Sequence, residues 1–140
     1  MRVRDSMRGI LLLAGGAAIL ASALVHGVIN VPHLREDMLE IGMRPSLLGA
    51  ISLVLYFSVV AMFAFGALVL TGAISLLRGK RPQLLPLWLI AGSYLVFGLV
   101  AFVRIDPSTH FLGYAFMGLL VAIGAAPSPS GMDKDLQGTA

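Results

Sequence analysis

The sequence predicts an all-α membrane protein, built as a bundle of four transmembrane helices. The first observation is composition: of 140 residues, 58% are hydrophobic and only 12% are charged. A soluble domain, in which about a quarter of residues are charged, cannot hide so much apolar surface from water. The second observation is the set of four uncharged stretches, each long enough, or nearly so, for the ~20 residues that cross a bilayer. They cover residues 9–31, 46–77, 84–103 and 108–126.

Prolines and glycines set the expected boundaries of these spans. Pro45 suits the first turn of the second span, the Arg78-Gly79 pair suits its end, and Pro107 precedes the fourth span. Residues 1–126 are therefore expected to form a single transmembrane domain. Residues 127–140 contain too few apolar side chains to pack, so they are predicted to be a disordered cytoplasmic tail.

The basic residues predict the orientation of the bundle. They cluster before the first span, at Arg2, Arg4 and Arg8, and between the second and third spans, at Arg78, Lys80 and Arg81. Loops rich in lysine and arginine stay in the cytoplasm. The sequence therefore predicts two antiparallel hairpins in the plasma (inner) membrane, with both termini cytoplasmic and the loop 32–45 facing outward.

The N-terminus also has the layout of a cleavable signal peptide. A basic start is followed by an apolar run and by the small residues Ala21, Ser22 and Ala23. However, the apolar run continues to Val31, which favours a retained first span. Cleavage would leave three spans in the same orientation.

Polar side chains concentrate in the outer half of the predicted bundle. His26, Asn30 and His33 follow each other at i, i+4 and i+7, so on a continuous helix they share one face. The sequence predicts one outward-facing ligand cavity, with His33 and Glu36 at its rim. Its expected lining is His26, Asn30, Tyr56, His110 and Tyr114. The alternative is that histidine, asparagine and tyrosine only mark the membrane boundary, where such side chains are common.

Rows of small residues predict where the first and fourth spans touch. The first span carries Ala14, Ala18 and Ser22 at every fourth position, and the fourth carries Gly118 and Ala122. Small residues at this spacing let two helix backbones approach closely. A close crossing near Ala18 and Gly118–Ala122 is therefore expected.

Three classes of function are compatible with this layout. We expect a non-catalytic accessory subunit or small-molecule binding module, because no catalytic motif is present. Its expected partners are the lipid bilayer and other membrane subunits or further copies of itself. Nucleic acid is not expected, since the basic residues fall between the spans.

The two alternative functions both depend on histidine. His26 and His110 could ligate a haem or a transition metal between the first and fourth spans. A histidine could instead act as the general base of an enzyme with a lipophilic substrate. The chain has no cysteine, which excludes thiolate metal sites and cysteine nucleophiles.

Overall fold

The computed structural model describes residues 3–105, 107 and 109–127 of the chain, and over these residues it is helical with no strand. Its elements are α1 (Val3–Val25), a π-helical turn (His26–Asn30), α2 (Val31–Glu40), α3 (Pro45–Leu77), α4 (Leu84–Arg104) and α5 (Thr109–Ala125). The predicted all-α class is confirmed. Of the predicted tail 127–140, all but Pro127 lies outside the described residues.

Three helical stretches are long and apolar enough to cross a membrane. They run Asp5–Glu40, Pro45–Leu77 and Leu84–Arg104. Helix α5, the predicted fourth span, is apolar but shorter, at 17 residues. The protein is therefore a helical membrane protein with three clear spanning helices.

The segment predicted as the loop 32–45 is helical as far as Glu40. Pro32 lacks a backbone N–H and would disturb a regular α-helix. The π-helical turn directly before it absorbs this disturbance, because the Val31 N–H donates to the carbonyl of His26, five residues back. The chain then reverses direction over residues 41–44, where Gly42 has a φ of +74° that suits glycine.

The helices pack as two close pairs. Helix α1 lies along α3, with contacts from Gly9 beside Leu77 at one end to Gly27 beside Val59 at the other. Helix α4 likewise makes extensive contact with α5. The two pairs join where α1 packs against α5. In contrast, α3 and α4 pack against each other only sparsely. A gap therefore separates α3 from α4.

Helices α1 and α5 contact each other within the expected α5 segment, Gly118–Ala122, but through other residues than those of the two predicted rows. Gly15 of α1 lies against Val121 of α5. Gly118 faces α4 instead, where an added Cβ would lie 2.8 Å from the carbonyl oxygen of Ala91. The other members of the two predicted rows are exposed or half-buried: Ala14, Ala18, Ser22 and Ala122. Because α5 carries small residues on two faces, its sequence alone does not assign each face to a neighbouring helix.

A buried arginine joins the start of α1 to the end of α5. Arg8 is only 9% exposed, and its Nε donates to the carbonyl of Gly124 over 3.2 Å. Its Nη2 lies 3.5 Å from the carbonyl oxygen of Ala125, and its Nη1 lies 3.6 Å from the Asp5 carboxylate. The last carbonyls of a helix have no partner within the helix and carry partial negative charge. Arg8 therefore caps α5 from another element.

We predict that Gly98→Ala weakens the α4–α5 pair. An added Cβ would meet backbone atoms of Ala115 and lie 2.8 Å from the carbonyl oxygen of Phe111, and backbone cannot move aside as a side chain can. The expected loss in free energy of unfolding is about 1–3 kcal/mol. The matched control is Gly92→Ala on the same helix, where nothing lies within 4 Å of the new Cβ. Chemical unfolding of the purified variants checks this, and equal stability of both would show that α4 and α5 are less closely packed.

We also predict that Arg8→Ala destabilises the bundle by about 1–3 kcal/mol, because it leaves buried carbonyls of α5 without a hydrogen-bond donor. Asp5→Ala should cost less than about 1 kcal/mol, since the Arg8–Asp5 pair is partly open to solvent. Thermal unfolding midpoints of the two variants give the comparison. A larger effect for Asp5→Ala would mean that the ion pair, and not the helix cap, is the main contribution of Arg8.

Candidate functional site

A cavity of about 250 Å³ lies where α3 and α4 separate. It is lined by one residue from the π-helical turn, four from α3, three from α4 and one from α5. These residues are His26, Ser58, Ala61, Met62, Phe65, Ser93, Tyr94, Phe97 and Tyr114. The π-helical turn, α3, α4 and α5 thus all contribute to the wall of the cavity. Its lining contains no Asp, Glu, Lys or Arg.

His26 reaches the cavity from the first residue of the π-helical turn. The neighbouring Gly27 lets the turn lie against α3, because an added Cβ there would be 3.0 Å from the Val59 side chain. The Nδ1 atom of His26 is buried and has no hydrogen-bond partner among the described residues. The cavity therefore contains one polar atom with an unused hydrogen-bonding capacity.

Tyr94 supplies a second such atom from α4. Its side chain is only 6% exposed, and its hydroxyl group is buried without a hydrogen-bond partner in the described part of the chain. Tyr94 lies between Ala91 and Gly98, two buried small residues on the face of α4 that contacts α5. Close packing on both sides therefore positions the Tyr94 ring.

The two serines of the lining are satisfied within their own helices. Ser58 Oγ donates to the carbonyl of Leu55 over 2.6 Å, and Ser93 Oγ donates to the carbonyl of Leu89 over 2.8 Å. Serine commonly forms this bond to the preceding turn of a helix. His26 and Tyr94 are therefore the lining residues with a buried polar atom that has no partner among the described residues.

Aromatic rings surround Tyr114 of α5 at the same level. Phe97 meets the Tyr114 ring edge-on, with centroids 5.3 Å apart, and the centroid of Tyr94 lies 6.1 Å away. His110 also packs edge-on against Tyr114, at 5.4 Å, from the exposed side of α5. Edge-to-face contacts of this kind stabilise an aromatic cluster and hold its rings in place.

The structure brings together part of the predicted site. His26 and Tyr114 line the cavity, whereas His110 contacts Tyr114 and lies within electrostatic range of His26 without lining the cavity. Asn30 and Tyr56 do not line it, and Tyr56 is 47% exposed. His33 and Glu36, the expected rim, are exposed on α2.

The π-helical turn explains why His26 and Asn30 do not act together. The i, i+4, i+7 spacing assumes a continuous α-helix, but the turn inserts one extra residue into the helical repeat. Val31, five residues after His26, is consequently the residue that is buried, at 1% exposure, while Asn30 is half-buried. Asn30 and His33 are rotated away from the face that they would share with His26.

Tyr94 is the functional residue that sequence analysis did not assign to the site. Its signal was present, because a tyrosine in the middle of an apolar span needs a hydrogen-bond partner when it is buried. Met62, Phe65 and Phe97 had no comparable signal, since apolar side chains on a membrane helix face lipid and core alike. Their place in the lining depends on how α3 and α4 separate.

The described residues contain no group of three or more His, Asp or Glu side chains that could hold a metal ion. The geometry instead offers a largely aromatic pocket with two hydrogen-bonding atoms, His26 Nδ1 and the Tyr94 hydroxyl. Such a pocket can hold a small, mainly apolar molecule in a defined orientation. Comparisons of this chain with protein-family models, curated proteins and solved structures found no match.

Proposed function

We propose that this protein is a non-catalytic binding module that holds a small lipophilic molecule in the cavity between α3 and α4. The observation that carries this proposal is that two residues lining one mainly apolar cavity, His26 and Tyr94, each have a buried polar atom without a hydrogen-bond partner among the described residues. A buried polar atom without a partner costs about 1–3 kcal/mol. A ligand that supplies the missing partners removes this cost.

The sparse packing of α3 against α4 supports a route into the cavity from the side. The two helices approach at Gly72 and Leu87, near the loop that joins them, and the cavity lies further from this loop. Ser93 and Phe97, both in the lining, are also exposed on the surface of α4. The gap therefore faces acyl chains, and a lipophilic ligand would enter from the bilayer.

The size of the cavity favours a small ligand over a haem. An apolar protein cavity of roughly 150 Å³ holds one benzene molecule. The volume here, about 250 Å³, suits one substituted ring or a short chain and is too small for a porphyrin. His110 also lies outside the lining, so a haem held between His26 and His110 has less support.

We further propose that the chain forms two antiparallel hairpins, with α5 as a fourth span and both termini in the cytoplasm of a cell with an inner membrane. The run of contacts from Gly9–Leu77 to Gly27–Val59 supports antiparallel packing of α1 and α3. Helix α5 is about 26 Å long at 1.5 Å per residue, close to the ~30 Å hydrocarbon core. In this orientation the cavity lies near the middle of the bilayer, since its lining residues are close to the midpoints of α3 and α4.

A photoreactive alkanol tests the binding function. Azi-octanol, an eight-carbon alcohol with a diazirine, should label cavity residues such as Met62 in the full-length protein, and excess octanol should suppress the labelling. Ala61→Phe should reduce cavity labelling at least about fivefold, because the new ring occupies the space that the ligand needs. The matched control is Ala64→Phe, on the exposed side of α3.

Peptide mass spectrometry gives the positions of the label. Labelling confined to exposed surfaces of the helices, or labelling of the cavity that Ala61→Phe leaves unchanged, would contradict the proposed binding site. The circular dichroism spectrum of each variant shows whether its helices are retained, so that loss of labelling is not confused with unfolding.

The proposed orientation predicts the accessibility of single cysteines. The native chain has no cysteine, so Glu40→Cys and Gln83→Cys each introduce one thiol. In intact cells an impermeant maleimide should label position 40 and spare position 83, which should react only after the membrane is opened. Labelling of position 83 alone in intact cells would indicate the opposite orientation. Labelling of both positions would contradict the antiparallel hairpin formed by α1–α2 and α3.

A further inference from the structure

The cavity also indicates the chemistry of its ligand, in an inference that rests on the proposed binding function. We infer that the ligand is an uncharged six-membered ring that carries carbonyl oxygens and is attached to an apolar tail. This is the chemistry of a lipid-soluble quinone. Four properties of the cavity support this class: its walls, its hydrogen-bonding atoms, the charge of its lining and its opening.

The walls of the cavity are suited to a flat ring. Four aromatic side chains line it, contributed by three helices: Phe65, Tyr94, Phe97 and Tyr114. Ring pairs gain about 0.5–1.5 kcal/mol beyond the burial of apolar area, in edge-on or offset arrangements. Met62 adds a polarisable sulfur atom, which also packs favourably on rings. An alkyl chain would fill the space without using these contacts.

The two unpartnered atoms are suited to oxygen acceptors. Tyr94 lines the cavity and is only 6% exposed, and its hydroxyl is buried with no hydrogen-bond partner among the described residues. His26 Nδ1 can carry a hydrogen in one of the two neutral forms of imidazole. Both atoms can therefore donate to carbonyl oxygens, which only accept hydrogen bonds and need no acceptor in return.

The lining excludes a charged head group. No Asp, Glu, Lys or Arg side chain borders the cavity, and a charge buried in such surroundings without a counter-charge is strongly disfavoured. Phosphate, carboxylate and ammonium groups therefore do not fit. A quinone ring is neutral, and it is polar only at its oxygen atoms.

The open side of the cavity, between α3 and α4, leaves room for the apolar tail of the ligand. A volume of about 250 Å³ holds a substituted ring but not a long chain in addition. The gap between α3 and α4 continues from the cavity to the lipid-facing surface, where Ser93 and Phe97 are exposed. A ring seated at His26 and Tyr94 could thus extend its tail through this gap into the bilayer.

Two decyl compounds test this inference by competition with azi-octanol. Decyl-benzoquinone carries the ring carbonyls, and decylbenzene has a flat six-membered ring of similar size and the same tail without them. The quinone should suppress labelling of Met62 at a concentration at least about tenfold lower than decylbenzene, as expected for two neutral hydrogen bonds. Tyr94→Phe should reduce this advantage about three- to tenfold, the effect of one such bond, whereas the matched control Tyr56→Phe, on the exposed side of α3, should leave it unchanged.

Infrared spectroscopy supplies an independent measurement. With the native protein, the carbonyl stretching band of the bound benzoquinone should shift to lower wavenumber, as a hydrogen-bonded carbonyl does, and Tyr94→Phe should reverse the shift. Equal competition by the two decyl compounds, or a carbonyl band that Tyr94→Phe leaves unchanged, would overturn the quinone inference while cavity labelling by azi-octanol still supported the binding function. Absence of any cavity labelling would overturn both.

Discussion

The close contact of α4 with α5 is the constraint on which the cavity depends. At Gly98 and Gly118 the two backbones are so near that an added Cβ would collide with backbone atoms of the opposite helix. Helix α1 is held against α3 in a similar way at Gly16 and Gly66. Each pair is tight and the pairs join mainly through α1 and α5, whereas α3 and α4 pack sparsely against each other, with a contact at Gly72 and Leu87. The gap follows from where the glycines are.

Tight backbone packing also explains why an unsatisfied tyrosine can persist in such a fold. Helices in lipid associate mainly through close packing and hydrogen bonds, since lipid tails are as apolar as the helix surfaces. The energy that holds α4 on α5 comes from the small residues on either side of Tyr94, and not from its hydroxyl group. This packing therefore does not require a hydrogen bond from the Tyr94 hydroxyl.

The sequence predicted the helices well and the site only in part. Hydropathy and prolines locate helix ends because both act within a few residues; the second span, predicted at 46–77, is observed as Pro45–Leu77. The composition of the site depends on helix rotation, which one inserted residue alters. The π-helical turn rotates Asn30 away from His26, and no residue before Pro32 in the sequence predicts this turn. Tyr94 was detectable as an isolated polar side chain, but its neighbours were determined by packing between distant helices.

The contact of Arg8 with α5 has a consequence for the order of assembly in the membrane. The guanidinium group and the carbonyl of Gly124 are 116 residues apart in the chain. At a synthesis rate of 5–20 residues per second, roughly 6–23 s separate the appearance of the two groups. Until α5 arrives, Arg8 has to remain hydrated at the membrane surface, which keeps the start of α1 at the interface and holds its depth. The contact between Arg8 and α5 can therefore form only after α5 has been synthesised, although Arg8 itself lies in α1.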